Sequence, residues 1–272
     1  MPSPARPQHT GSSDAPLAGA SVVVTRPDGA ALRASARRLG ACALALPGLG
    51  LRALPAPRVR GAFDRWIFTS PAAVRFALGR DAPIRVPARA VVFAIGGGTR
   101  AALARHGIAA AVPERSDSEG LLALPALRDV RGRRVALVGA PGGRDLIAPA
   151  LRTRGALVEP IHVYRRVPPR LTRRHFDALA AAGDPLVTLL SSGEALANIV
   201  ALLPPPLLAR LRTQTIVVSS TRLAEAARSA GFETVAIAAS ASPRDLLAAA
   251  AASLARRRRR GPPFAAGSGA FG

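Results

Sequence analysis

The feature that most constrains the fold is a strand–turn–helix unit that recurs along the chain. Its clearest example runs from Trp66 to Val74, where an apolar run ending at Phe68 indicates a buried strand. Ser70 then stands at the N-cap of a helix, and Pro71 stands at the first helical position, where its missing N–H costs nothing. A strand that ends about two residues before a helix is typical of a parallel α/β sheet.

The unit recurs at irregular spacing, which favours repeated βαβ units over a solenoid. Further copies begin at Val22, Val91, Val135, Leu186 and Ile216. Four of the helices are predicted to end on a glycine, the usual residue for a left-handed helix stop: Gly40, Gly107, Gly155 and Gly231.

We predict an α/β protein of two hinged, parallel-sheet, flavodoxin-like domains, one of them discontinuous. The first βα unit is too small to fold alone, and the C-terminal block lacks a partner strand. Two proline-containing connectors would join the domains, and a cleft between two sheets is a typical small-molecule site. The predicted parts are a disordered lead-in (1–18), a discontinuous domain (19–44 with 172–256), extended connectors (45–60 and 164–171), an inserted domain (61–163) and a disordered basic tail (257–272).

The net charge of +22 comes with 38 basic residues that are all arginine. This charge permits a nucleic-acid surface, but the arginines are scattered along helices and aromatics are only 4%, which argues against stacking platforms for single strands. Compositional bias therefore explains most of the excess positive charge, and part of this charge could serve an anionic ligand.

The single cysteine, Cys42, lies in an apolar run and is predicted to be buried. With no secretory or membrane-spanning pattern, we expect a cytoplasmic protein.

The chain lacks most catalytic motifs. No histidine has metal-ligand spacing, no G-x-S-x-G elbow occurs, and the Gly96-Gly97-Gly98 turn falls short of a dinucleotide fingerprint. What remains is a set of strand-end turns with free backbone N–H groups, at Thr25, Ser70, Thr99, Gly142, Ser192 and Ser219. Each turn alone could be a plain helix cap, whereas several turns facing one cleft would suit a large polyanion without redox cofactor or metal.

Short markers in these turns follow a fixed order. They are Val24-Thr25-Arg26-Pro27, Phe68-Thr69-Ser70, Ala94-Ile95-Gly96 with Thr99, Gly142-Gly143-Arg144, Val163-Tyr164-Arg165-Arg166, Ser191-Ser192-Gly193-Glu194, and Val218-Ser219. In order and spacing, this series resembles the uroporphyrinogen-III synthase family of bacterial tetrapyrrole enzymes. The resemblance implies a HemD-like pair of hinged α/β domains, in agreement with the topology predicted above.

The resemblance also implies a reaction. Hydroxymethylbilane, a linear tetrapyrrole with eight carboxylates, would lose water and close to uroporphyrinogen III with its D ring inverted, as a hydro-lyase reaction without cofactor or metal. The enzyme would be a monomer that receives the bilane from hydroxymethylbilane synthase. A non-catalytic binding protein for a polyanionic metabolite is the alternative, and a nucleic-acid binder is a weaker one.

The resemblance suggests site residues as well. Tyr164, the only tyrosine, matches the family's cleft tyrosine and is the expected proton donor to the leaving hydroxyl, although it could simply pack in a connector. The expected substrate-binding residues are Arg26, Thr69, Ser70, Gly96, Thr99, Gly142, Gly143, Arg144, Ser191, Ser192, Ser219 and Ser220. One departure concerns Gly139-Ala140, where many relatives carry Arg-Gly, so an arginine contact at that turn is in question.

Overall fold

The protein is described from a computed structural model, over residues 15–55, 59, 61–79, 84–142 and 146–260. The chain divides into two compact units: unit 1 comprises Met1–Leu49 with Pro168–Gly272, and unit 2 comprises Gly50–Val167. Of the predicted site residues, Gly143 and Arg144 lie outside the described part of the chain.

Strands and helices alternate along most of the chain. The strands are β1 (Ser21–Val24), β2 (Cys42–Ala45), β3 (Gly50–Ala53), β4 (Arg65–Phe68), β5 (Val91–Ala94), β6 (Arg134–Gly139), β7 (Leu157–His162), β8 (Tyr164–Val167), β9 (Leu186–Leu190), β10 (Thr215–Val218) and β11 (Thr234–Ile237). The helices are α1 (Ala30–Arg38), α2 (Pro71–Leu78), α3 (Gly97–Ala104), α4 (Ser118–Ala123), α5 (Ile147–Thr153), α6 (Arg173–Ala180), α7 (Gly193–Leu202), α8 (Pro205–Thr213), α9 (Thr221–Ser229) and α10 (Pro243–Arg260).

Unit 1 is a five-stranded parallel sheet with helices on both faces. The strand order is β11-β10-β9-β1-β2, so the first βα unit completes a sheet whose other strands come from the C-terminal half. One apolar cluster joins the sheet to α1 and α10, and a second joins it to α6, α7, α8 and α9. The helices that follow the adjacent strands β1 and β9 therefore lie on opposite faces.

Unit 2 repeats this plan with a four-stranded parallel sheet in the order β5-β4-β6-β7. Helices α2 and α3 pack on one face around Trp66 and Phe68, while α4 and α5 pack on the other around Ile67 and Phe93. The alternation of side chains along β4 and β5 places successive apolar residues in the two cores. From the centre of this sheet, β5 is added beside β4 on one side and β7 beside β6 on the other, so the order of strand addition reverses between β4 and β6.

The two predicted connectors contain strands that pair with each other. β3 and β8 form an antiparallel ribbon in which Ala53 lies opposite Tyr164 and Gly50 opposite Val167. This pairing satisfies backbone groups of both segments and fixes the position of the residues that begin β8.

The predicted ends of the ordered chain are partly wrong. Leu17, expected in a disordered lead-in, is buried in the core of unit 1, and its N–H donates to Leu39 O at 2.9 Å. Arg257 and Arg258, expected in a disordered tail, belong to α10 and hydrogen-bond to Gln214 Oε1 and Ala18 O. Residues 1–14 and 261–272 lie outside the described ranges.

Prolines shape two of the helices. Helix α8 follows the Pro204-Pro205-Pro206 run, which supplies a good helix start. Helix α4 ends at Ala123, and a short 3-10 turn follows because Pro125 cannot continue α-helical hydrogen bonding. Between α3 and α4, Ala111 makes a single parallel bridge with Phe93.

Cys42 is exposed, so the prediction of a buried thiol is wrong. It begins β2, an edge strand in which the side chain of the next residue, Ala43, faces the core. The alternation of a strand therefore turns Cys42 outward despite its apolar neighbours.

We expect one thiol per chain to react with Ellman's reagent in the native protein, because an exposed sulfur on an edge strand is open to a small reagent. Cys42→Ser should abolish the reaction. A thiol that reacts only after unfolding in denaturant would contradict the exposed position.

Over the described residues, no helix is long and apolar enough to cross a membrane.

Candidate functional site

The carboxyl edge of the unit 2 sheet contains a cavity of about 510 Å³. It opens where β4 and β6 lie side by side and their following helices leave toward opposite faces. Such reversals leave a crevice outside the carboxyl ends of the strands, which is where open α/β sheets bind ligands. The lining residues are Thr69, Ser70, Ile95, Ser118, Leu137, Gly139, Ala140, Gly142, Ile147, Ala148, Pro160, His162, Tyr164 and Arg166.

Two hydroxyl groups face each other in this cavity. Ser70 Oγ lies 3.1 Å from the Tyr164 hydroxyl, and it also accepts a hydrogen bond from Ala73 N at 2.9 Å. Ser70 is the N-cap of α2, with Pro71 at the first helical position as predicted. The helix cap therefore fixes the serine, and the serine in turn holds the tyrosine hydroxyl.

The ring of Tyr164 is held by a second residue of the same helix. Phe76 stacks on it with ring centroids 5.3 Å apart and an interplanar angle of 21°. Tyr164 is 6% exposed and belongs to the core cluster of unit 2. Its ring is thus packed on one side while its hydroxyl reaches the cavity.

Thr69 and Gly139 pack tightly at the base of the cavity. Thr69 Oγ1 donates to Val138 O at 3.1 Å, and a Cβ at position 139 would overlap that hydroxyl. Only glycine allows the two strand ends to approach this closely. This close approach gives a steric reason for glycine at position 139, the turn at which an arginine contact is in question.

Arg166 and His162 line the cavity, but sequence reasoning did not assign them to the site. Side chains two residues apart in an extended segment point the same way, so positions 162, 164 and 166 share one side. That alternation was available from the sequence once Tyr164 was chosen. Arg166 Nη2 donates to Pro141 O at 3.0 Å, so a guanidinium lies beside the turn that follows Gly139-Ala140.

The strand order of the unit 1 sheet has a similar reversal between β1 and β9. Arg26, just after β1, donates from Nε to Ser191 Oγ at 3.1 Å and from Nη2 to Ala241 O. Burial lowers the pKa of Arg26 and Asp28 partly offsets this effect, although an arginine stays charged near neutrality. The structure thus brings Arg26 and Ser191 together at the carboxyl edge of this sheet.

The remaining predicted residues are placed as follows. Ser192 and Ser220 are N-caps, accepting from Ala195 N at 3.3 Å and Leu223 N at 3.4 Å. Ser219, next to Ser220, is half-buried. The Ser192 and Ser220 hydroxyls thus cap their helices, in keeping with the capping interpretation of these turns.

Two residues of the α3 turn do not line the unit 2 cavity. Thr99 is 2% exposed, and Gly96 is close to Ser116, whose Oγ would lie 2.9 Å from a Cβ at position 96. Their neighbour Ile95 does line the cavity. No group of three His, Cys, Asp or Glu that could hold a metal ion occurs among the described side chains.

Comparison with known proteins gives a consistent result. A family model described as uroporphyrinogen-III synthase HemD matches residues 30–248. The uroporphyrinogen-III synthase of Salmonella typhimurium is 33% identical over 250 residues, covering 84% of this chain and 98% of that protein. The crystal structure of uroporphyrinogen-III synthetase from Helicobacter pylori 26695 has the same fold, with a TM-score of 0.61 at 16% identity over 86% of this chain and 99% of that one. By its sequence, the chain belongs to the uroporphyrinogen-III synthase family.

Proposed function

We propose that this chain is a uroporphyrinogen-III synthase, which closes hydroxymethylbilane to uroporphyrinogen III with inversion of the D ring and loss of water. This is a hydro-lyase reaction of tetrapyrrole biosynthesis. The observation that carries the proposal is the Ser70–Tyr164 hydroxyl pair, set in the cavity at the carboxyl edge of the unit 2 sheet in a chain of this family.

The hydroxyl pair offers a proton at a fixed point. Ser70 Oγ accepts from Ala73 N, so either Tyr164 donates to Ser70 or Ser70 donates to Tyr164. The second arrangement leaves the Tyr164 hydrogen unused by the pair. We propose that Ser70 donates to the Tyr164 oxygen and that Tyr164 donates its own hydrogen to the departing hydroxyl of the bilane, which makes that hydroxyl a better leaving group.

The substrate carboxylates would bind at the strand-end turns. In unit 2 these are the cavity-lining residues Thr69, Ser70 and Gly142, with Gly143 and Arg144 that follow in the sequence, and in unit 1 they are Arg26, Ser191, Ser192, Ser219 and Ser220. Gly96 and Thr99, which the sequence also suggested, are not part of this set, because they do not line the cavity and Thr99 is buried. Helix N-termini carry partial positive charge and backbone N–H donors, so they suit carboxylates. Binding at many points would hold the bilane in the geometry that leads to inversion, a contribution of positioning rather than of strong acid chemistry.

The isomer of the product tests the proposal. A bilane-forming enzyme supplies substrate, and the uroporphyrin isomers are separated after oxidation. We expect the protein to convert the supplied hydroxymethylbilane to isomer III, whereas uncatalysed closure gives isomer I. Formation of isomer I alone, at the rate of the protein-free reaction, would reject catalysis and favour the alternative of a non-catalytic binding protein.

We also propose that the protein is a cytoplasmic monomer that takes its substrate from hydroxymethylbilane synthase.

A further inference from the structure

Helix α2 contacts Tyr164 at both ends of its side chain. Ser70, the cap of α2, meets the hydroxyl at 3.1 Å, and Phe76, in the second turn, stacks on the ring. Phe76 is half-buried and packs against the core of unit 2, and it is not among the residues that line the cavity. It touches the proposed proton donor without reaching the space where the substrate would lie.

The two contacts restrict different motions. The hydrogen bond limits the distance of the hydroxyl from α2, but it permits the ring to swing around that point. The stacked Phe76 blocks this swing, because offset-stacked aromatic rings have a preferred separation and tilt. A change of about 30° in the first side-chain torsion is enough to leave a rotamer well, and it would carry the distant hydroxyl by about 2–3 Å.

We infer that Phe76 is a positioning residue for catalysis: it fixes the Tyr164 ring so that the hydroxyl stays in register with the leaving group. This inference rests on the proposed function of Tyr164 and adds a residue to it. A misplacement of about 1 Å can reduce a rate by about 100-fold, so a partial loss of ring restraint should be measurable.

The test is a double-mutant cycle on the formation of isomer III. Phe76→Leu keeps an apolar side chain but removes the ring, and we expect kcat to fall by about 10-fold with KM changed less than about twofold. Phe76→Tyr keeps the stacking ring and should restore kcat to within about twofold of the wild type. Adding Phe76→Leu to Tyr164→Phe should then cause no further loss, because Phe76 acts only through the Tyr164 hydroxyl.

Phe63→Leu is the matched control. Phe63 is a buried phenylalanine of the same core cluster, packed edge-on against Trp66 at 5.4 Å rather than on Tyr164. It should lower the melting temperature as Phe76→Leu does while leaving kcat unchanged.

The outcomes separate the two proposals. Suppose that the wild type forms isomer III but the fold-losses of kcat in Phe76→Leu and Tyr164→Phe multiply in the double variant. Phe76 then acts independently of the Tyr164 hydroxyl, so the positioning role is rejected while the proposed function stands. An equal loss of kcat in Phe63→Leu would reject it as well. If the wild type forms only isomer I, the proposed function itself fails.

Discussion

Tyr164→Phe is expected to reduce the rate of isomer III formation by about 100-fold while leaving the protein folded. The change removes one hydroxyl and keeps the ring that stacks on Phe76. General acid catalysis by a positioned side chain contributes about 10²–10⁴-fold, and the low end applies because the Ser70 hydroxyl remains beside the leaving group. Isomer I should rise as released or slowly converted bilane closes without catalysis.

The structural cost of Tyr164→Phe should be small. The variant loses the Ser70–Tyr164 hydrogen bond, worth about 1 kcal/mol, while Ser70 continues to cap α2 through Ala73 N. Thr153→Val is the matched control, because its hydroxyl lies in the same unit and donates only to Pro149 O, away from the cavity lining. An unchanged rate of isomer III formation in Tyr164→Phe would show that Tyr164 is not the proton donor.

Gly48→Ala is expected to have the largest effect on stability, destabilising unit 1 by about 3 kcal/mol. A Cβ at this position would lie 2.6 Å from Ala195 Cβ and 2.9 Å from both Cα and O of Ala195. Two of those three atoms are backbone in the first turn of α7, so the strain cannot be relieved by a side-chain rotation. Gly48 also donates to Thr25 O at 2.9 Å and accepts from Asn198 Nδ2 at 2.8 Å, which prevents it from moving away.

Gly193→Ala provides the opposite result at the start of the same helix. A Cβ at position 193 would meet no atom within 4 Å, and the residue opens α7. Alanine there should be neutral or stabilise by about 0.5 kcal/mol. Thermal melting and amide exchange of unit 1 peptides would measure both variants. Similar melting temperatures for the two would contradict the close approach of Gly48 to α7.

Much of the fold could be predicted from local sequence signals. Ser70 and Pro71 predicted the start of α2, and the apolar run before them predicted β4, because caps and short buried strands are decided by neighbouring residues. Local signals failed where a distant segment decides the outcome. Leu17, for example, is ordered because it packs in one core cluster with residues of α1 and α10.

The candidate site divides in the same way. The sequence by itself determined the family, the repeated βα units and the choice of Tyr164, Ser70 and Arg26, since each is carried by a short motif. Only the tertiary structure decided that Ser70 contacts Tyr164, that Phe76 stacks on it, and that Arg166 reaches the Pro141 turn. These contacts join residues 25 to 94 positions apart, and such pairs meet only after β4, β6 and the β3–β8 ribbon have taken their register.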